Sequence, residues 1–258
     1  MPAKNHIDLV VKTLAVLEAL AISEDGKALK EIAKDLGLVK SSVFRILFTL
    51  KEAGYVEQPE ANGVYRLTLK TAGLSRRNSN RLGLATVARP YLVKLRDKLD
   101  ESVALAERRG NSIILIDVIE TSHPLRLNIH IGDDCPIHAT AIGKAVAAFL
   151  SPKELATLLS DSKLAHYTEH TYTKLRDLKL DLARTHKTGC SFNNEETVAG
   201  AFIVGAPIFD SRLSVCGALS VNIPTARCSA ARKKQLIASV IAVGKCISTD
   251  LADIGFVR

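Results

Sequence analysis

With 258 residues, 47% of them apolar, the chain can bury a sizeable core, as one large domain or as a small one beside a medium one, which excludes a disordered protein. Charges break the longest apolar stretches well before the roughly 20 residues that cross a bilayer. Asp8 and Glu18 lie inside the first apolar run, so no signal peptide or membrane association is expected and the protein reads as soluble and cytoplasmic.

The formal net charge is +8, and its distribution is uneven. Residues 1–81 carry thirteen Lys and Arg against nine Asp and Glu; residues 82–258 carry twenty-two against eighteen. The amino-terminal part is therefore about twice as positive per residue, a balance that suits a polyanionic partner.

In chain order, Leu9, Thr13, Leu14, Leu17 and Leu20 fall on one face of an amphipathic helix. Next comes "LKEIAKDLGLVKSSVFRILFTL", residues 29–50. Leu29, Ile32, Ala33 and Leu36 repeat at i, i+3, i+4, i+7, and so do Val43, Ile46, Leu47 and Leu50, which predicts two short helices. Gly37 stands where the first should end, because glycine enters the left-handed conformation freely. Two helices joined by a tight glycine turn make a helix-turn-helix, with the preceding helix as the third wall of its core.

Burying the 43/46/47/50 face leaves Ser41, Ser42, Phe44, Arg45, Phe48 and Thr49 outside. Hydroxyls and first-turn amides suit phosphate oxygens, helped by the helix dipole. Lys40 suits a backbone phosphate, and Arg45, one turn past Ser41, can reach a base edge in the major groove. Val39 takes the N-cap position, where Ser, Thr, Asp or Asn would be preferred. After Gly54, "YVEQPEANGVYRLTLK" alternates around a turn at Pro59, Asn62 and Gly63 and reads as a β-hairpin, with Arg66 and Lys70 placed to meet phosphate. Three helices and a hairpin make a winged helix-turn-helix over residues 1–70 that binds double-stranded DNA. A small helical protein-interaction module is the alternative.

The basic stretch 71–83, "TAGLSRRNSNRLG", reads as a linker, and the apolar series Leu84, Val87, Ala88, Tyr91, Leu92, Leu95 and Leu99 as a linker helix kinked or restarted at Pro90, together 71–100. That stripe needs a partner, its own domain or a second copy. From residue 101 onward strands are expected at "SVALAERRG", "NSIILIDVIE" and "LRLNIHIG", helices near 140–150, 153–160 and 174–188, strands at "GCSFN", "GAFIVGAPIFD" and "SVCGALSVNIP", and a helix over 229–254. This is an α+β domain on an antiparallel sheet.

Two stretches look built for a ligand. In "CPIHATAIGKA" a helix starts near Thr140, so the amides of Ala141 and Ile142 form an anion site, or else an ordinary capped start with Lys144 in solvent. In "ALSVNIP" Ser220 and Asn222 share one strand face, either a solvated surface or the floor of a pocket.

Five cysteines, Cys135, Cys190, Cys216, Cys228 and Cys246, are scattered without a CxxC pair, which suits reduced thiols and argues against a zinc finger. Two other classes stay open: a metal sensor using His130, Cys135 and His138, and a thiol enzyme with Cys190 as nucleophile, His138 as base and Glu195 as orienter. No GxSxG-type signature accompanies the second set, and a non-enzymatic reading leads.

"GLVKSSVFRILFTLKEAGYV", "HATAIGKAVAAFL" and "FNNEETVAG…APIFD…ALSVNIPTAR" together resemble the IclR family of transcriptional regulators over nearly the whole chain. The resemblance implies a winged helix, a linker helix and a GAF-like α/β domain that binds a small organic effector, with no cofactor. It implies dimers paired through the DNA-binding parts, often assembled into tetramers. It places an effector carboxylate on the amides of Ala141 and Ile142, polar contacts at Asn193, Ser220 and Asn222, and Ile203 beside the pocket. Asn193 and Asn222 stand where some members carry aspartate and serine, and Cys190 where an aromatic is common.

Overall fold

The computed structural model describes residues 7–23, 25–60, 63–71, 83–161 and 164–258. It divides into two compact units, Met1–Arg81 and Leu82–Arg258. Of the expected linker, residues 72–82 lie outside the described residues, as does Asn62 of the wing turn.

The first unit holds α1 (Asp8–Ala21), α2 (Leu29–Asp35), α3 (Lys40–Glu52) and the antiparallel pair β1 (Val56–Glu57) and β2 (Arg66–Leu67). Gly37 follows the end of α2 at φ +63°, the left-handed conformation that lets the chain reverse within three residues. Val43, Ile46, Leu47 and Leu50 are buried with Val16, Leu20, Ile32, Ala33, Val56 and Tyr65. Val39 is the N-cap of α3 and provides no side-chain hydrogen bond. The wing is closed by Gln58 Nε2 donating to the Gly63 carbonyl at 3.1 Å, and Tyr65 bridges back to Lys27.

The inward face of α1 differs from the expected stripe. Val16, Ala19 and Leu20 are buried, whereas Leu9 and Leu14 are 60% and 53% exposed. Thr13 is not in the core either; its hydroxyl bonds the Leu9 carbonyl. α1 carries apolar residues around most of its circumference, including Val10 and Val11, so a 3.6-residue period selects no single face.

The second unit is built on a five-stranded antiparallel sheet of order β4-β3-β7-β6-β5: β3 (Ser102–Arg109), β4 (Ser112–Ile119), β5 (Ser191–Asn194), β6 (Ala201–Phe209) and β7 (Val215–Pro224). Register sorts its side chains. Val103 pairs with Val221 and Val221 with Val204, while Ala104 pairs with Ser220, Ser220 with Gly205 and Gly205 with Ser191. Opposed residues share a face, so one face is large and apolar and the other is small and polar.

The apolar face carries α4 (Leu84–Leu99) and α8 (Ala230–Asp253). α4 runs through Pro90 as one helix and buries Leu84, Ala88, Leu92, Leu95 and Leu99 against its own sheet. By length and composition alone α8 is apolar enough to cross a membrane, but Leu236, Val240, Ile247 and Leu251 pack in this core. The other face carries α5 (Ala141–Ala147) and, beyond it, α7 (Leu175–Thr188); α6 (Pro152–Asp161) adds Leu158 to the same cluster. No strand forms at "LRLNIHIG". The outer edge of β4 is taken instead by residues 132–135, with Leu115 N donating to Asp133 O at 3.0 Å and Cys135 N to Ile113 O at 2.7 Å, which leaves 125–130 without a ladder.

α5 can lie close to β6 because Gly205 has no side chain: a Cβ there would stand 2.6 Å from Ser191 Oγ and 3.0 Å from the Ala141 carbonyl. Ser191 Oγ donates to that carbonyl at 2.7 Å, fixing the start of α5. Gly205→Ala should therefore lower the unfolding free energy by about 1–3 kcal/mol through overpacking, as measured by urea titration.

Candidate functional site

α3 presents Lys40, Ser41, Phe44, Arg45, Phe48 and Thr49 to solvent, with Ser42 half-buried. Its first turn has no capping side chain, and Ser42 N donates to the Val39 carbonyl at 2.9 Å, which leaves the Lys40 and Ser41 amides for an external acceptor. Thr49 donates its hydroxyl hydrogen to the Arg45 carbonyl at 2.8 Å. Arg66 of the wing and Lys70, in the helical turn 69–71 that follows it, are engaged within the chain. Arg66 Nε donates to the Asp25 carbonyl at 2.9 Å, and Lys70 Nζ donates to Ala53 O at 2.6 Å while lying 4.7 Å from the Tyr55 ring centroid. Both side chains thus tie the wing to the helical core, a role the hairpin pattern did not reveal.

In the second unit, Ala141, Ile142, Asn193, Ile203, Ser220 and Asn222 all line one cavity of about 540 Å³ on the small, polar sheet face. Thr140 caps α5 by accepting from Gly143 N at 2.9 Å, so the amides of Ala141 and Ile142 remain the first-turn donors without an intrahelical acceptor. Ser220 Oγ accepts from Asn222 Nδ2 at 3.2 Å, which orients that hydroxyl. Asn193 is held by its own turn: its Oδ1 accepts from Glu196 N at 2.7 Å and one Nδ2 hydrogen goes to Thr197 Oγ1 at 2.7 Å, with the second Nδ2 hydrogen still able to donate. Leu127, Ile129 and Val198 add apolar wall, and Arg126 and Tyr167 stand on the lining too. The 126–129 wall comes from the segment expected to be a strand; no periodic signal marks an extended stretch that lines a cavity.

Comparison with known proteins settles the kind of molecule. Residues 9–60 match the IclR helix-turn-helix domain, and residues 77–249 match the bacterial transcriptional regulator IclR C-terminal domain. The chain belongs to the IclR family. It is 32% identical to the transcriptional repressor IclR of Escherichia coli (strain K12) over 251 residues, covering 95% of this chain and 90% of that protein. A solved transcriptional regulator from Rhodococcus sp. RHA1 superposes with a TM-score of 0.81 at 27% identity, covering 96% of this chain and all of that one. An IclR homolog from Microbacterium hydrocarbonoxydans, solved in complex with 4-hydroxybenzoate, shares the fold with a TM-score of 0.80 at 21% identity, covering 95% and 100%. The protein is thus a DNA-binding transcriptional regulator with an effector-binding carboxy-terminal domain, and not an enzyme.

The structure disperses both alternative constellations. Cys190 is buried, and burial pushes its thiol up to about 12, far from a thiolate. Glu195 Oε2 accepts from Gly200 N at 2.7 Å and closes the β5–β6 turn rather than orienting a histidine. His138 places Nε2 2.9 Å from the Ala165 carbonyl and stacks on Tyr167, while His130 is exposed. Among the described residues no group of three His, Cys, Asp or Glu is arranged to hold a metal ion.

The residue this IclR-family chain hides best is Lys144. Far from being solvated, it is 0% exposed. Its Nζ donates to Glu196 Oε1 and Oε2 at 2.6 and 2.7 Å, stands 3.0 Å from Asp181 Oδ2 and lies 5.0 Å from the Tyr172 ring centroid. Asp181 also pairs with Arg184. Glu196 follows Asn193 in the turn that borders the cavity, so this ion cluster anchors the cavity wall to α5 and α7. The apolar surroundings of Lys144 in "AIGKAVAAFL" hinted at burial, but nothing in sequence joins positions 144, 181 and 196.

Burial raises the Glu196 carboxyl above its usual value of 4.5, against the downward pull of Lys144. Lys144→Met removes that pull and strands the buried Glu196 carboxylate, while Asp181 keeps Arg184, at a cost of about 3–5 kcal/mol at neutral pH. Glu196 then has a still higher folded-state pKa. The loss is therefore complete above that pKa and shrinks as pH falls toward 4.5 and the carboxyl takes up its proton. Urea unfolding of the variant across that range measures both effects.

Proposed function

We propose that this chain is a metabolite-controlled regulator in which α3 enters the major groove of an operator and the cavity of the carboxy-terminal domain binds a small organic acid that changes operator affinity. On the DNA side, Arg45 reaches a base edge, Lys40 and Arg66 meet backbone phosphate, and Ser41, Ser42, Phe44 and Thr49 complete the contact surface. On the ligand side, the acid's carboxylate sits on the amides of Ala141 and Ile142, its apolar body lies along Ile129 and Ile203, and Asn193, Ser220 and Asn222 provide polar contacts. The observation that carries this reading is the convergence of those seven residues, from five separate parts of the sequence, on one cavity. The 4-hydroxybenzoate complex of the Microbacterium homolog supports an acid with an apolar body.

The domain ranges 1–70, 71–100 and 101–258 serve as head, linker with its helix, and sensor. The exposed apolar side of α1, with Leu9, Val10, Val11 and Leu14, supports pairing of two chains through their DNA-binding parts, as a homodimer or a dimer of dimers. A dimer then reads half-sites about one helical turn apart, in the cytoplasm. Ligand control requires the acid to bind the two states with different affinity, typically by about 1–3 kcal/mol.

Two measurements test the two halves of this reading. Arg45→Ala should lose its preference for operator over random duplex, whereas Lys40→Ala should weaken binding to all DNA and reduce the salt slope by about one; normal operator preference in Arg45→Ala places recognition elsewhere. Ser220→Ala should abolish the response to 4-hydroxybenzoate and related aromatic, keto and sugar acids while leaving DNA affinity nearly unchanged, read by gel-shift titration with and without each acid. An unaltered response in Ser220→Ala moves the ligand out of this cavity.

A further inference from the structure

On α3 the stripe Val43, Ile46, Leu47 and Leu50 is buried, and the opposite side carries two phenylalanines where a solvated helix would carry polar residues. Phe44 and Phe48 are 53% and 56% exposed. They sit one turn apart with their rings stacked, centroids 6.4 Å from each other, so they form a single apolar ridge rather than two scattered side chains. α3 holds three cations, Lys40, Arg45 and Lys51, against one carboxylate, Glu52 at its last residue. A ridge framed by cations matches a polyanion better than a protein surface, and a nucleic-acid duplex offers phosphates on both sides of a groove.

An unsubstituted aromatic ring has no hydrogen-bonding group, so it cannot read the N7, O6, N6 or N4 positions of base edges. The one apolar group that any base shows in the major groove is the 5-methyl of thymine. Successive base pairs rise by about 3.4 Å, so two rings 6.4 Å apart span about two steps. Thr49, next to Phe48, has its hydroxyl turned to the Arg45 carbonyl.

We infer that the Phe44–Phe48 ridge is a specificity element that reads thymine methyl groups two base pairs apart in each half-site, beside the polar readout by Arg45. The inference rests on α3 being the helix that enters the groove, and it adds the base chemistry that this face selects. Discrimination comes from the apolar area of one methyl group per ring, so it separates thymine from its demethylated analogue without any change in pairing.

The test uses the full chain. Selection from a random duplex library should enrich half-sites with thymines two base pairs apart. Replacing each of those thymines by deoxyuridine, which removes only the methyl, should weaken binding about three- to fivefold per site. The same replacement should have no effect at one site in Phe44→Ala and at the other in Phe48→Ala. Both rings are exposed, so both variants should keep the parent's unfolding midpoint and sedimentation behaviour. Full affinity for the deoxyuridine duplex overturns the methyl reading and leaves groove binding intact. Failure to enrich any motif overturns both, and loss of oligomer in Phe44→Ala or Phe48→Ala shows that the rings are covered by protein instead.

Discussion

A fully buried ammonium group sets the terms of the carboxy-terminal domain. Lys144 can be stable without water only where carboxylates and an aromatic face replace it, and Glu196, Asp181 and Tyr172 do so. Those partners come from a turn, a helix and a loop, so the demand of one cation brings three distant parts of the chain to the same place. One wall of the cavity is tied to this cluster. With Glu196 held by Lys144, and Asn193 held by the Glu196 amide, the end of β5 cannot relax into the space beside Ser220 and Asn222.

The two faces of the sheet divide the work that makes this possible. One face takes the large aliphatic residues and two long helices, which supply most of the apolar burial that stabilises the domain. The other gives up that burial, using Ala104, Ser191, Gly205 and Ser220 to let α5 approach and to leave room in front of it. Strand alternation allows both to be written into the same residues, since neighbours in sequence face opposite ways.

The DNA-binding head shows a parallel economy. A buried four-residue stripe holds α3 in place, so everything on its far side is free of any duty to the core. The side chains found there are cations, hydroxyls and a pair of phenylalanines, in a pattern that has no use in water. By contrast Arg66 and Lys70 are already partly committed to the Asp25 and Ala53 carbonyls.

Sequence alone determined the short-range features: the glycine turn after α2, the buried stripe of α3, the hairpin wing, the strands on either side of Ser220 and the capped start at Thr140. Each depends on neighbours within a turn or on a period of two or 3.6, and such patterns are local. It misjudged α1, where an apolar surface nearly all round offers no preferred face, and "LRLNIHIG", where alternation was present but the neighbouring strand edge was already filled by residues 132–135. Tertiary structure alone decided that Lys144 is buried, that Glu196 and Asp181 meet it, that Arg126 and Tyr167 reach the cavity, and that the linker helix packs on its own sheet. Those facts depend on which long-range partner satisfies a charge or covers an apolar stripe, and no spacing along the chain encodes that choice.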